Sequence, residues 1–296
     1  MKRTGGPADR RTVSRRGFLG AASALLLGGL SSPIGPDPRS AGPPVRRAGP
    51  PVRLGIQLYT LRDLLQRDFE GTVAQLAKIG YKEVEFAGLY GRSAADRRKA
   101  LDRHHLSAPS GHCDIAAITT RVDQTIAEAR TLGHRYVVVA WIPDEARTAD
   151  GYAGVADTFN RAGEALRKAG LTLGYHNHAF EFLPLEGERC GYDILLQRTE
   201  PELVTMELDL FWIRQAGRDA LEYFSRHEGR FRMVHIKDMA ADGAMVDVGQ
   251  GAMDWPVLLA AAEKAGVRHH FVEHDEPRDP IAFARASYAY LRRLQS

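Results

Sequence analysis

Four stretches decide the fold: YHNHAFEF at residues 175–182, VTMELDLFW at 204–212, RMVHIKD at 232–238 and HHFVEHDE at 269–276. In each of them an apolar run typical of a buried strand ends at acidic or imidazole side chains. The side chains in question are Glu181, Asp209, His235 and Glu273. Three carboxylates and one neutral imidazole suit a divalent cation such as Mn²⁺, Mg²⁺ or Zn²⁺. If the strands belong to one parallel barrel, we expect all four side chains to meet at the same mouth.

Short apolar runs alternate with amphipathic stretches from residue 53 to the end of the chain. The predicted strands are 54–58, 83–86, 106–109, 136–140, 172–176, 204–208, 233–236 and 270–273. The predicted helices are 69–79, 94–105, 118–132, 153–169, 193–199, 216–227, 255–265 and 281–294. Eight βα units predict an α/β fold, a single closed (β/α)₈ TIM barrel that spans residues 53–296. An open doubly wound sheet is the alternative, and it is disfavoured because no glycine-rich turn follows the first strand.

The composition is that of a globular protein, with 44% hydrophobic and 26% charged residues in a chain of 296. The formal net charge of +3 depends on the first 32 residues, which hold six basic residues and one acidic residue. The remainder carries 34 basic and 36 acidic residues, a net charge of −2. Because the chain has no basic stripe outside the amino-terminal segment, we expect no nucleic-acid partner.

The amino-terminal segment resembles a twin-arginine (Tat) export signal. The run SRRGFLG at 14–20 is followed by an apolar stretch, 21–30, that is too short to span a bilayer stably. Residues 1–32 are therefore predicted to be a signal, with the Tat export machinery as a partner. The mature protein is then expected to be periplasmic or extracellular, either free or tethered to the membrane by an uncleaved signal. A basic tail beside a chance apolar run is the alternative.

Residues 33–52 are rich in proline and glycine and repeat AGPPVR, which predicts a linker. The two cysteines, Cys113 and Cys190, do not have the spacing of a metal site. An oxidising compartment would permit a disulfide between them, but two separate thiols is the favoured interpretation. The sequence does not decide between a monomer and a homo-oligomer.

The chain resembles the sugar phosphate isomerase/epimerase family of the xylose isomerase-like TIM barrels. The runs that carry the resemblance are GIQLYTLRD, GYKEVEFAG, GYHNHAFEF, ELDLFW, VHIKDM, VGQGAMDW and FVEHDE. They extend from residue 54 to about residue 277, nearly the whole predicted barrel. The resemblance implies a divalent cation, Mn²⁺ first with Mg²⁺, Zn²⁺ or Co²⁺ as alternatives. It also implies that Asp209, His235 and Glu273 are ligands after the sixth, seventh and eighth strands.

The chain departs from this family at the fifth strand. Sugar epimerases of the superfamily place a glutamate within that strand, whereas this chain has Gly174, Tyr175 and His176 there. The fourth ligand is therefore either Glu181 or a histidine, namely His176 or His178.

The resemblance implies proton abstraction next to a carbonyl group, with the cation holding the developing charge. His178 or His176 is predicted to be the base, because imidazole has a pKa near working pH without a large shift. Glu273 is predicted to shuttle protons in addition to binding the cation, and Lys237 to stabilise the oxyanion. A surface lysine paired with Asp238 is the alternative for Lys237. The predicted substrate-binding residues are Glu85, His112, Trp141 and Asn177.

We therefore expect a metal-dependent sugar isomerase or epimerase, or a lyase, whose substrate is a keto-sugar or a 3-keto-glycoside. Two alternatives remain. A non-catalytic periplasmic sugar-binding protein would use the same polar strand ends without an ordered cation. An endonuclease-like metal-dependent phosphodiesterase would require a basic groove, which the near-neutral remainder of the chain disfavours.

Overall fold

The barrel predicted from the sequence is present in the computed structural model, which describes residues 53–88, 90–185 and 189–295. Eight parallel strands close into a barrel in which each strand pairs with the next barrel strand along the chain and the last pairs with the first, with helices outside them. The TIM-barrel prediction is therefore confirmed. The predicted signal (residues 1–32) and linker (33–52) lie outside the described residues and stay predictions.

The strands have the bounds expected of short buried elements. The barrel strands are β1 Leu54–Gln57, β2 Glu83–Phe86, β3 Ser107–Cys113, β4 Tyr136–Val139, β5 Thr172–His176, β6 Val204–Asp209, β7 Phe231–Ile236 and β10 His269–Val272. A small antiparallel pair follows β7, formed by β8 Asp238–Met239 and β9 Met245–Val246.

The helices cover the outside of the barrel. They are α1 Arg62–Arg67, α2 Phe69–Ile79, α3 Ala94–Arg103, α4 Ile115–Thr119, α5 Val122–Leu132, α6 Ala149–Lys168, α7 Gly191–Arg198, α8 Leu210–Gln215, α9 Ala220–Arg226, α10 Trp255–Ala265 and α11 Pro280–Arg293. Helices α5 and α10 end at Gly133 and Gly266, which adopt the left-handed conformation common at helix C-termini.

Three predicted helices are wrong in extent. The predicted helix 153–169 begins earlier, as α6 at Ala149, because the side chain of Thr148 caps it there. The predicted helix 118–132 is divided into α4 and α5, because Asp114 caps an earlier start and the chain leaves the helix before Val122. The predicted helix 216–227 begins later, as α9, because Gly217 adopts a positive φ of 73° and Asp219 caps the new start. Helix α8 was missed, since the side chain of Asp209 caps it directly at the end of β6.

An apolar layer closes the barrel beneath the carboxyl-terminal ends of its strands. Tyr136, Val138, Met233 and Phe271 form this layer, and each is at most 5% exposed. Gly174 of β5 faces the same layer, since a Cβ there would lie 3.0 Å from Cγ2 of Val138. The polar side chains above the layer are therefore separated from the opposite mouth of the barrel.

Cys113 and Cys190 are free thiols, which confirms the favoured interpretation of two unpaired cysteines. In the part of the chain that the structure describes, no helix has the length and apolarity needed to cross a bilayer.

Candidate metal centre

Three of the four predicted ligands converge at the carboxyl-terminal mouth. Asp209, His235 and Glu273 follow or end the neighbouring strands β6, β7 and β10, and their ligand atoms all lie within 4.8 Å of one another. Nδ1 of His235 lies 2.6 Å from Oε2 of Glu273 and 3.9 Å from Oδ2 of Asp209. All three side chains are buried, so their charges depend on one another rather than on water.

Lys237 lies against the same carboxylates. Its Nζ is 3.1 Å from Oδ2 of Asp209, 2.9 Å from Oε2 of Glu273 and 2.8 Å from Oδ1 of Asp275. Lys237 is two residues beyond His235, and the period of a strand turns both side chains towards the barrel axis. The alternative of a surface lysine paired with Asp238 is wrong, because Lys237 is 2% exposed and its partners are the other three acids.

A second tier of polar side chains lies below these ligands. Nε2 of His235 is 2.7 Å from Oε2 of Glu85 and 3.3 Å from Oε2 of Glu207. Nε2 of His112 is 2.8 Å from the same Glu207 oxygen, and Nδ1 of His176 is 3.3 Å from it. A proton on Nε2 of His235 would be donated to Glu85, which leaves Nδ1 free to bind a cation. Carboxylates commonly orient metal-binding histidines in this way.

Glu181, the fourth predicted ligand, lies apart from both tiers. Its carboxylate accepts a hydrogen bond from the hydroxyl of Tyr175 and another from the backbone N–H of His178, at 2.9 Å. The side chain of Tyr175 points out of the barrel, where its ring lies 5.5 Å from that of Phe159. Burial raises the pKa of Glu181 to about 7. The turn after β5 therefore draws this carboxylate behind the barrel wall.

The two candidate bases differ in position. His176 adjoins the ligands, with Nε2 at 3.9 Å from Oδ2 of Asp209 and its ring centroid 4.4 Å from that of His235. His178 lies at the mouth, with its ring 5.1 Å from that of Trp141. Burial first, and then the charge of Lys237, lowers the pKa of His178 to about 3. Burial and the neighbouring His235 lower the pKa of His176 as well. The expectation of an unshifted imidazole pKa is therefore wrong for both residues.

The four predicted substrate-binding residues separate into two pairs. His112 and Trp141 line a mouth cavity of about 500 Å³, and Trp141 is 49% exposed. Glu85 and Asn177 are fully buried below it. Oδ1 of Asn177 accepts the backbone N–H of Asp209 at 3.0 Å, so this amide ties β5 to β6.

The charges at the mouth are strongly coupled. Burial raises the pKa of Asp209 to about 6, although Lys237 and His235 oppose the shift. Burial would also raise the pKa of Glu273, but Lys237 and His235 hold it well below its usual range. The pKa of His235 is raised far above its usual value, because the carboxylates of Glu207 and Glu273 outweigh the effect of burial. Protons and ammonium groups thus supply the positive charge that these acids require, and a bound cation would compete with them.

The residues present fit a divalent cation. Oδ2 of Asp209, Oε1 of Glu207 and Nδ1 of His176 are buried and have no hydrogen-bond partner of good geometry. Unsatisfied buried acceptors are costly in a folded protein, and several of them in one place are typical of a site for an ion. Mixed carboxylate and imidazole donors suit Mn²⁺, Zn²⁺ or Co²⁺.

Glu207 is the main member of the site that was not among the predicted site residues. It stands two residues before Asp209, so both side chains face the same side of β6. The spacing Glu-Leu-Asp could have identified it, because a buried acid at either position requires a partner.

The chain belongs to the xylose isomerase-like TIM barrel family, whose model matches residues 73–294. An inosose dehydratase of Geobacillus thermodenitrificans is 23% identical over 268 residues, which cover 76% of this chain and 89% of that protein. An inosose dehydratase of Lacticaseibacillus casei is likewise 23% identical, over 75% of this chain and 88% of its own length.

Solved structures have the same fold. A sugar phosphate isomerase/epimerase from Parabacteroides distasonis superposes with a TM-score of 0.74 at 25% identity, covering 86% of this chain and 98% of that one. The IolI protein with a bound zinc atom superposes with a TM-score of 0.65 at 17% identity, over 83% of this chain and 98% of its own. At that identity the second likeness concerns the fold alone.

Proposed function

We propose that this protein is a divalent-cation-dependent lyase or isomerase that removes a proton next to the carbonyl group of a keto-sugar or a 3-keto-glycoside. The observation that carries the proposal is the convergence of Asp209, His235 and Glu273, with Lys237 among them, beneath an open mouth. The inosose dehydratase relatives, which match along most of the chain, support the same chemistry.

Asp209, His235 and Glu273 would hold the cation. His176 is better situated than Glu181 to be the fourth ligand, because its Nε2 lies beside Asp209 whereas Glu181 is bonded to Tyr175. A bound cation supplies the positive charge that polarises a carbonyl group and stabilises the enediolate. The mixed carboxylate and imidazole donors of this site support a divalent cation, and we propose Mn²⁺ ahead of Zn²⁺ or Co²⁺.

His178 is proposed as the base that accepts the carbon-bound proton. Its Nδ1 has no hydrogen-bond partner among the described residues, and its ring lines the mouth cavity. Lys237 would donate a hydrogen bond to the oxygen on which negative charge develops. Trp141 offers an exposed ring on which a sugar could stack, and His112 offers a polar contact lower in the cavity.

The dehydratase relatives favour elimination over epimerisation as the outcome. In elimination the C–H electron pair forms a carbon–carbon double bond, the proton goes to His178, and the bond to the β-oxygen breaks. The departing oxygen then takes a proton from Lys237 or from solvent. In epimerisation the same carbon would instead receive a proton on its opposite face.

Elemental analysis and isotope exchange test this function together. Purified protein should contain about one divalent cation per chain. In D₂O it should exchange the carbon-bound proton of a keto-sugar or eliminate from a 3-keto-glycoside, and a chelator should abolish both reactions. A protein that retains sugar but neither cation nor exchange would instead be a binding protein.

We also propose export through the twin-arginine pathway, on the basis of residues 1–32 alone. Replacing Arg15 and Arg16 with lysine should retain the protein inside the cell. Unchanged fractionation of this variant would contradict the proposal.

A further inference from the structure

A second cavity lies outside the barrel wall, between helices α3 and α5. Its volume is about 350 Å³, within the range of small-molecule pockets of about 300–1,000 Å³. The lining includes Arg97 of α3, Ala117 of α4, Glu128 of α5, and His134 and Gly111 next to the barrel wall. This cavity shares His112 with the catalytic mouth but is otherwise formed by different residues.

Arg97 is a buried cation without an acidic partner. It is 2% exposed, and among the described residues its guanidinium donates two long hydrogen bonds, each of 3.4 Å, to the carbonyl oxygens of Ser93 and Gly88. The guanidinium also lies over the ring of Phe86, with 5.1 Å between Cζ and the ring centroid. No carboxylate among the described residues forms an ion pair with it. Burial lowers the pKa of Arg97, and Glu128 offsets this effect only in part. Because buried charges in proteins are normally paired, the donors of this guanidinium lack an anion.

Glu128 does not supply that anion. Its Oε1 accepts a hydrogen bond from the amide of Gln124 at 3.1 Å, one turn earlier on α5. At the rim, Arg121 and Asp114 pair with each other at 2.9 Å, so they neutralise one another. Arg97 is therefore the cation in the cavity wall that is free to bind a ligand.

His134 adds a hydrogen-bond acceptor to the same wall. Its Nδ1 lies 2.6 Å from the carbonyl oxygen of Ala108, so the proton is on Nδ1 and Nε2 carries the lone pair. Burial lowers the pKa of His134, which keeps the ring neutral. A Cβ at Gly111 would lie 2.9 Å from Nε2, so glycine at this position leaves the acceptor room.

We propose that the cavity between α3 and α5 binds a small hydroxylated carboxylate, such as a sugar acid. The carboxylate would accept the forked donors of Arg97, whose planar geometry matches two oxygens. A hydroxyl group of the ligand would donate to Nε2 of His134. Gly111 and His112 are consecutive in β3, so a ligand in this cavity would touch the strand that carries His112 to the catalytic mouth.

Calorimetric titration with sodium D-gluconate, against sodium chloride of equal ionic strength and against sodium acetate, tests this proposal on the full chain. We expect saturable gluconate binding with about one site per chain, and weaker binding of acetate. Arg97→Gln should weaken gluconate binding at least tenfold. Ala117→Leu, which fills the cavity and retains Arg97, should do the same even if Arg97→Gln fails to fold.

Two further variants locate the binding. Arg103→Gln, on the same helix but outside the cavity, should bind gluconate as the wild type does. Asp209→Asn should also retain binding, because the catalytic mouth is not involved. Absence of saturable binding to the wild type, equal affinity in the wild type and Ala117→Leu, or loss of binding in Asp209→Asn would each overturn the proposal. None of these outcomes depends on whether the catalytic reaction has been assigned correctly.

Discussion

Asp209 and Asp238 are both buried acids, and their surroundings differ. Asp209 ends β6, and Asp238 begins β8 just beyond the neighbouring strand β7. Asp238 accepts hydrogen bonds from the backbone N–H groups of Met239, Gly249, Gly251 and Met253 and from Nε1 of Trp255. Asp209 uses Oδ1 to cap α8, while its Oδ2 lies 3.1 Å from Nζ of Lys237 but has no hydrogen bond of good geometry among the described residues. Both carboxylate oxygens of Asp238 therefore accept hydrogen bonds, whereas, within the part of the chain that the structure describes, only Oδ1 of Asp209 does.

Within this barrel, the hydrogen bonds of a buried acid distinguish a structural role from a functional one. Asp238 points away from the barrel axis and holds the loop between β7 and α10, so its charge is used for folding. Asp209 points towards the axis, where Lys237 and His235 supply positive charge and burial raises its pKa to about 6. An unsatisfied buried carboxylate that is held in place by its neighbours is available to a cation.

Replacing Asp209 or its neighbour His235 should have the largest effect on cation binding. Asp209→Asn retains the cap on α8 but removes the charge, and His235→Ala removes the shared imidazole. We expect either variant to bind the cation more than about 100-fold more weakly and to lose proton exchange, while the barrel still melts cooperatively. Metal content and D₂O exchange provide the measurement.

Asp219→Asn, an exposed cap of α9, is the matched control for Asp209→Asn and should retain the cation. Wild-type metal content in both Asp209→Asn and His235→Ala would show that the cation lies elsewhere.

Replacing Asp238 should instead lower the stability of the folded protein. Asp238→Ala leaves five donors without their acceptor, and we expect the free energy of unfolding to fall by about 3 kcal/mol. The affinity for the cation should change little once the protein is folded. Urea denaturation measures the first quantity and metal titration the second.

Asp254→Ala serves as the comparison, because it removes only the cap of α10 and should cost about 1 kcal/mol. A larger loss from Asp254→Ala than from Asp238→Ala would contradict the structural role of Asp238.

Glu85 should have an intermediate effect, because it acts on the cation through His235. Glu85→Gln weakens the acceptor that orients the imidazole, and we expect about a 10–100-fold loss of cation affinity with little change in fold. Metal titration provides the test. Glu83→Gln lies on the same strand but pairs with His269, at 2.7 Å, and should leave the affinity unchanged. If Glu85→Gln and Glu83→Gln change the cation affinity equally, Glu85 does not orient His235 for cation binding.

Replacing Glu181 should have the smallest effect on cation binding. It should have a measurable effect on how the free energy of unfolding depends on pH. Burial raises the pKa of Glu181 to about 7 in the folded state, above an unfolded value of about 4.3. The stability contributed by its proton is therefore fully present below about pH 4.3 and is lost as the pH rises to about 7. Glu181→Gln, which mimics the protonated acid, should therefore gain stability relative to the wild type as the pH rises through this window, reaching on the order of 3 kcal/mol at pH 7–8.

Denaturation of both proteins from pH 4.5 to pH 8 measures this difference, and metal content provides the second readout. Retained cation in Glu181→Gln would agree with its position behind the barrel wall. Loss of the cation in this variant would show that Glu181 is a ligand, as the sequence predicted.

Local patterns predicted the elements well. Strands 83–86 and 172–176 and helices 69–79 and 255–265 have the predicted bounds. These elements are set by apolar periodicity and by caps within a few residues, and both are visible in the chain itself. The prediction of one continuous helix over 118–132 was wrong, because Asp114 caps a separate helix that ends at Thr119.

Roles within the site were harder to predict, because they depend on contacts between distant strands. Lys237 pairs with acids from β6 and from the end of β10 rather than with its neighbour in sequence, Asp238. The lowered pKa of His178 results mainly from its burial. Side chains that are distant from it in the sequence contribute to that burial, so residue spacing does not predict the shift.

The sequence by itself determined the closed barrel and the meeting of Asp209, His235 and Glu273. Alternating apolar periodicity specifies parallel βα units, and all parallel strands end at one mouth. The tertiary structure was needed to show that Glu181 turns to Tyr175 and that Glu85 and Glu207 lie beneath His235. It was also needed to show that Arg97 is buried without an ion pair to any carboxylate of the described residues. These facts depend on which way each side chain turns after its strand and on what it then meets, and neither is encoded in residue spacing alone.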